Sequence, residues 1–335
     1  MDLGILVPPK GYGGHERLVY MFAKEYARLG HEVHLMVTKG SVVEGCTVHG
    51  YGKEGFPPKK IDALLAIPNA WWFLWKNRKR FDLIHNFGRL AYLLPILNQP
   101  VKKIMTYGRE ISKSNILRIN KLKNRNLVFT GCSENLISRG NVAGRWETVY
   151  NAIDFSKYTL VEKVSEDAPL MFLGRIERVK GCHTAIRVAI ETGNRLLIGG
   201  NISPLNNEKK YFEEEIFPFI DGKQIVFLGP LNDEEKNNYL GQSKAILFPI
   251  EWEEPFGMVM VEAMACGTPV IAYKRGSVDE VINQGVTGFK VNDIPSMILS
   301  LSNINKIDRK KCRESAHSKF DVNSISTHYL NLFNF

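Results

Sequence analysis

Ala245-Ile-Leu-Phe-Pro249-Ile-Glu-Trp-Glu-Glu254-Pro-Phe-Gly257-Met-Val-Met-Val-Glu262-Ala-Met-Ala265-Cys-Gly-Thr-Pro269-Val-Ile-Ala272 decides the fold class. Two continuously apolar runs, 245–249 and 270–272, flank a segment of helical length, with proline and glycine marking the junctions. A run apolar at every position, rather than at alternate ones, predicts a strand covered on both faces. That is the mark of a parallel sheet held between helix layers.

The alternation continues outward from this stretch. Leu170–Leu173, Leu196–Ile198 and Ile225–Leu228 read as further strands, and Lys180–Glu191, Glu234–Leu240 and Gly257–Ala265 as helices. Nearer the amino terminus, Leu3–Pro8, Val33–Val37, Leu83–His85, Val101–Thr106 and Leu127–Thr130 read as strands. His15–Leu29 reads as a helix, with Leu18, Val19, Phe22 and Tyr26 at three- and four-residue spacing. The apolar pattern thins between Asp154 and Pro169, and a helical stripe of Ile325, Tyr329 and Phe333 closes the chain. Two such series in 335 residues predict an α/β protein of two doubly wound, Rossmann-like domains facing a central cleft.

Composition narrows the class. At 44% hydrophobic and 24% charged residues the chain is neither disordered nor collagen-like. No run approaches the ~20 apolar residues of a membrane span, and the opening Met-Asp-Leu-Gly lacks the basic start of a signal peptide. Five scattered cysteines, Cys46, Cys132, Cys182, Cys266 and Cys312, include no Cys-x-x-Cys pair. They predict a reduced, cytoplasmic protein without a zinc site. The charge is uneven: residues 1–150 carry 23 Lys and Arg against 11 Asp and Glu, whereas residues 151–335 carry 21 against 24. An anionic partner for the first half, whether nucleic acid, acidic membrane surface or substrate, accounts for the excess. So does an ordinary basic surface.

Three segments carry candidate chemistry. Gly11-Tyr-Gly13-Gly14 lies between an expected strand and helix, where glycines admit a phosphate to free helix-start amides; a plain tight turn reads equally well. In Gly174-Arg175-Ile-Glu-Arg-Val-Lys180-Gly181, two cations follow a strand and can clamp a diphosphate, or form a solvated basic turn. Glu254 and Glu262 stand eight residues apart, a little over two helical turns. They can therefore meet different parts of one ligand, while Gly257 frees first-turn amides.

Together these segments resemble the family-4 glycosyltransferases along the whole chain. The resemblance is carried by Gly13-Gly14-His-Glu16-Arg17 with Gly30-His31-Glu-Val33, Phe81-Asp82-Leu-Ile-His85, Tyr150-Asn151-Ala152-Ile-Asp154, Phe172-Leu-Gly174-Arg175 with Lys180-Gly181, and Glu254-Pro255-Phe256-Gly257 with Glu262. It extends to Gly276 and Glu280 and to Gly285, Thr287, Gly288 and Phe289. It implies the GT-B fold. An acceptor-binding domain would comprise residues 1–154 plus the helix at about 322–335, and a nucleotide-sugar domain residues 155–321. It implies transfer from a nucleoside-diphosphate sugar, a UDP- or GDP-sugar, to an acceptor hydroxyl with retention, and no divalent metal or other cofactor. Arg175 and Lys180 would bind and stabilise the diphosphate as leaving group. Glu254 would position the sugar and Glu262 the ribose. Gly13, Gly14 and the backbone of Phe256, Gly257 and Met258 would complete donor binding. Tyr107, in Thr106-Tyr107-Gly108, stands where the family commonly has a donor-contacting histidine, so any role that needs an imidazole there is unavailable.

Trp71, Trp72 and Trp75, followed by Arg78, Lys79 and Arg80, join interfacial aromatics to cations. This suits an anionic membrane at the inner face, with a lipid-linked acceptor; a glycan acceptor and a helix packed on the sheet suit it too. Nucleic-acid binding leaves the acidic second half unexplained. A nucleotide-sugar epimerase or a catalytically silent nucleotide-sugar-binding protein shares the architecture.

Overall fold

The chain divides into two units, Met1–Ala152 with Val322–Phe335, and Ile153–Asp321. A computed structural model describes residues 2–9, 13–55, 58 and 60–333, apart from the side chains of Lys60 and Ala63. Gly11 of the expected glycine loop lies outside the described residues.

In the first unit, α1 (Gly14–Arg28) buries Leu18, Val19, Phe22 and Ala23, the stripe its spacing requires. Strands β1 (Val33–Thr38) and β2 (Cys46–Tyr51) pair in parallel, then α2 (Lys60–Asn77) follows. A parallel sheet in the order β3-β4-β5-β6 comprises β3 (Leu83–Asn86), β4 (Lys102–Tyr107), β5 (Leu127–Gly131) and β6 (Trp146–Thr148). Helices α3 (Lys113–Asn120) and α4 (Glu134–Gly140) connect its strands. β5 is buried at every position, as an unbroken apolar run between helix layers must be.

Leu3–Pro8 does not form the expected strand. Its amides bond to hydroxyls instead of a ladder: Gly4 N donates to Thr38 Oγ1 at 3.0 Å and Val7 N to Ser41 Oγ at 2.9 Å. A cavity of about 330 Å³ opens between β1 and β3, and Arg80 is the one candidate residue on its wall.

The second unit is a six-stranded parallel sheet in the order β12-β11-β10-β7-β8-β9. Its strands are β7 (Leu170–Leu173), β8 (Leu196–Gly199), β9 (Ile225–Gly229), β10 (Ala245–Phe248), β11 (Val270–Tyr273) and β12 (Gly288–Val291). Helices α5 (Cys182–Thr192), α6 (Asn206–Tyr211), α7 (Asp233–Gln242), α8 (Met258–Ala265), α9 (Val278–Val281), α10 (Ile294–Leu301) and α11 (Arg309–Phe320) connect and flank them. From β7 the chain winds outward to β9, then returns to β10 on the other side. The carboxyl ends of β7 and β10 therefore open a crevice at the switch point, the place where doubly wound sheets bind ligands.

The last helix, α12 (Val322–Asn331), belongs to the first unit. Tyr329 is buried against Phe22 and His85, with ring centroids 5.3 and 4.5 Å apart. His85 sits within hydrogen-bond distance of Tyr26 Oη (3.1 Å) and Thr106 Oγ1 (2.8 Å). Burial drives its imidazole from the usual 6.5 down to about 3. The folded ring stays neutral while the unfolded ring takes a proton below 6.5, so its contribution to stability falls as pH drops from 6.5 toward 3. The loss reaches about 1.4 kcal/mol per pH unit within that window. We expect His85→Asn to lower the melting temperature at pH 7 but to flatten its decline between pH 6 and pH 4. An unchanged slope in thermal unfolding would contradict the buried neutral ring.

Candidate functional site

The turn after β7 and the loop after β10 meet because residue 181 has no side chain. Gly181 is left-handed (φ +75°), and a Cβ there would lie 2.0 Å from the carbonyl oxygen of Pro249. The close approach lets Glu251 N donate to Val179 O at 2.8 Å. It delivers Lys180 to the acidic loop, where Lys180 Nζ donates to Glu254 Oε2 at 2.5 Å. Trp252 Nε1 donates to the same oxygen at 2.9 Å, and the ammonium lies 4.7 Å from the Trp252 ring centroid. The two charged side chains are only 16% and 12% exposed, so their attraction is stronger than that of a surface pair.

A second backbone contact locks the loop from the other side. Gly276 (φ +57°) packs so tightly that a Cβ would stand 2.3 and 2.4 Å from the oxygen and nitrogen of Glu254. Ser277 N donates to Glu254 O at 3.0 Å, and Ser277 Oγ to Phe256 O at 2.8 Å. Phe256 is buried, and Gly257 (φ +75°) opens α8 with no side-chain cap, so Met258 begins a helix whose first amides lack a capping side chain. Further along α8, Glu262 Oε1 accepts from Tyr158 Oη at 3.0 Å and from Lys236 Nζ at 2.7 Å. The two glutamates are thus held by different cations. Arg175, at the end of β7, pairs with Glu177 at 3.0 Å.

In the first unit, Gly13 and Gly14 begin α1 without a side-chain cap, and a Cβ on Gly14 would meet nothing within 4 Å. Tyr107 ends β4 with its ring packed near Trp146 and Phe129, at 5.7 and 6.5 Å between centroids. Its hydroxyl is buried with no partner among the described residues, and burial pushes the phenol up. Beside it lies a residue that the sequence reading passed over. His15 Nε2 donates to Phe87 O at 2.6 Å, and Nδ1 lies 3.6 Å from where a Cβ on Gly108 would stand. Burial lowers this imidazole below its usual value. The available signal was its position one residue after the glycine pair. Trp252, Lys236 and Tyr158 were also missed, because each acts through another residue and no spacing rule marks it; Gly276 stood in the resemblance without a role.

On α2, Trp71 Nε1 donates to Ala91 O at 2.8 Å, while Trp72 and Trp75 face outward. Arg78 stacks on Trp75, Arg80 is tied to Glu32 at 2.7 Å, and Lys79 is exposed. Among the described residues no group of three His, Cys, Asp or Glu side chains is arranged to hold a metal ion, and no helix is long and apolar enough to cross a membrane.

The architecture is that of the GT-B glycosyltransferases. Sucrose-phosphate synthase from Thermosynechococcus elongatus matches it with a TM-score of 0.77 and 21% identity, over 99% of this chain and 95% of that one. HepE from Anabaena, solved in complex with UDP-glucose, matches with a TM-score of 0.73 and 17% identity over 96% of each chain. Two family models match the sequence, Glycosyltransferase Family 4 over residues 12–107 and Glycosyl transferases group 1 over residues 161–307. The chain belongs to the family-4 glycosyltransferases. The N-acetyl-alpha-D-glucosaminyl L-malate synthase of Bacillus anthracis is 24% identical over 99% of this chain and 96% of that one.

The Gly276 contact generates a direct test. Gly276→Ala places a methyl against the Glu254 backbone in a left-handed conformation, which by itself costs a non-glycine residue about 1–2 kcal/mol. Urea unfolding should show at least that loss. An unchanged midpoint would mean the loop is not held there.

Proposed function

We propose that this glycosyltransferase moves a sugar from a nucleoside-diphosphate sugar to an acceptor hydroxyl, with retention at the anomeric carbon and without a divalent metal. The observation that carries the reading is the shielded Lys180–Glu254 pair at the switch point of the second unit. Each charge compensates the other in a site partly closed to water. A diphosphate presents stronger negative charge to Lys180 and Arg175, draws the ammonium away, and frees Glu254 Oε2 to accept from sugar hydroxyls. Trp252 keeps its indole N–H on the carboxylate and so holds it in place during the exchange. The start of α8 at Gly257 and Met258, which has no side-chain cap, offers further amides to the phosphates.

Glu262 Oε1 is occupied by Tyr158 and Lys236, which leaves Oε2 to accept from ribose hydroxyls. In the transfer, the bond from the anomeric carbon to the phosphate oxygen breaks and the acceptor oxygen bonds on the same face. The acceptor proton passes to the departing phosphate, whose charge Arg175 and Lys180 stabilise. HepE is solved with UDP-glucose, which makes a UDP-sugar the first donor to test, with a GDP-sugar next. The acceptor is a glycan or a lipid-linked precursor, handled by the first unit.

Lys180→Ala or Glu254→Ala should cut transfer at least roughly tenfold with the fold intact, a loss of about 1.4 kcal/mol in transition-state stabilisation. In a thermal-shift panel of UDP, GDP, ADP and TDP, one nucleotide at about 100 times its dissociation constant should stabilise the wild type by roughly 2.7 kcal/mol. The same nucleotide should stabilise Arg175→Ala less. Near-normal rates in the two alanine variants, or no response to any nucleotide, would refute the assigned site.

A further inference from the structure

The most apolar exposed surface of the first unit lies on α2. Ile61, Leu64, Leu65, Trp72 and Trp75 recur at three-, four- and seven-residue spacing and share one helix face. That face points away from the protein: Ile61, Leu64 and Trp72 are 64%, 74% and 66% exposed, and Leu65 and Trp75 are exposed as well. The opposite face, with Ala66, Ala70 and Leu74, is buried and already supplies the packing that holds the helix. A helix apolar on both sides has a partner on each side, and here the protein provides only one.

We propose that the outer face of α2 docks on an anionic phospholipid bilayer, with the helix lying in the plane of the interface. The row from Ile61 to Trp75 runs about 21 Å along the helix, long enough to seat among headgroups and upper acyl chains. Its carboxyl end carries the charge. Lys76 lies 4.8 Å from the Trp72 ring centroid, and the Arg78 guanidinium 4.0 Å from that of Trp75. Neither these two nor Lys79 has an acidic partner among the described residues, whereas neighbouring Arg80 is spent on Glu32. Aromatic rings fixed under unpaired cations match the level at which a bilayer changes from hydrocarbon to phosphate. Asp62 is the single acid of the helix, and it lies to one side of the row from Ile61 to Trp75. A second copy of the chain docked through the same face would set an uncompensated basic surface against its equal, which favours lipid over self-association.

The test uses the full chain and no sugar donor. It is mixed with neutral phosphatidylcholine vesicles, or with vesicles holding about a third phosphatidylglycerol, and floated on a density gradient. Binding should appear with the anionic vesicles at low salt and fade at high salt. Because three of the five tryptophans sit on α2, emission should shift to the blue on binding. Replacing Lys76, Arg78 and Lys79 together by Gln should weaken partition by roughly a hundredfold, at about fivefold per cation near the surface. Trp72→Ser with Trp75→Ser should abolish the blue shift, with melting curves confirming that both variants fold. Three results would overturn the proposal: no flotation with either vesicle, flotation of both variants equal to wild type, or a salt-stable dimer in wild type that the Trp pair variant abolishes.

Discussion

The carbonyl oxygen of Pro249 stands 2.0 Å from the place a Cβ would occupy on residue 181, and most of the second unit's site follows from that contact. Only glycine lets the turn after β7 close on the loop after β10. With the two backbones in register, Lys180 reaches Glu254 without stretching, and Trp252 can grip the same carboxylate. The mirror constraint at Gly276 presses on Glu254 from the far side. An acidic side chain is thereby fixed between two places where the chain tolerates no added atom. Rigid placement of this kind, rather than any unusual side chain, is what a site needs in order to favour one bound geometry.

Burial on both sides made the second unit readable from sequence. Leu170–Leu173 and Ala245–Phe248 are apolar at every position because helices cover both faces, so their strands stand out against amphipathic neighbours. β2 did not stand out: Cys46-Thr-Val-His-Gly-Tyr51 is only half buried and carries polar residues at positions that a covered strand would fill with apolar ones. Leu3–Pro8 misled for the opposite reason. It is apolar enough for a strand, but Thr38 and Ser41 offer hydroxyls to its amides and no neighbouring strand takes them. Lys180, Glu254 and Glu262 were visible as chemistry-bearing residues after strands. Their pairings were not, since Lys236 and Tyr158 come to Glu262 from elements 26 and 104 residues away in sequence.

The first unit is tied together by a partly buried polar chain. Tyr26, His85, Thr106 and Thr130 link α1, β3, β4 and β5 through side-chain hydrogen bonds, with Thr106 and Thr130 at 2.7 Å. Such a chain is costly when half satisfied and specific when complete, so it fixes register between strands whose apolar neighbours could slide. Tyr329 of α12 closes it, bringing an aromatic ring onto His85 and Phe22.

That closure by α12 has a consequence for how the molecule is made. The ring that seals the first unit's core is encoded after the whole of the second unit, and the chain leaves and re-enters the first unit at adjoining points, where Ile153 N donates to Phe320 O at 3.1 Å. On the ribosome the first 152 residues emerge long before their own lid. The unit synthesised second is complete before the unit synthesised first, and His85 meets the Tyr329 ring only when the last turns of helix arrive.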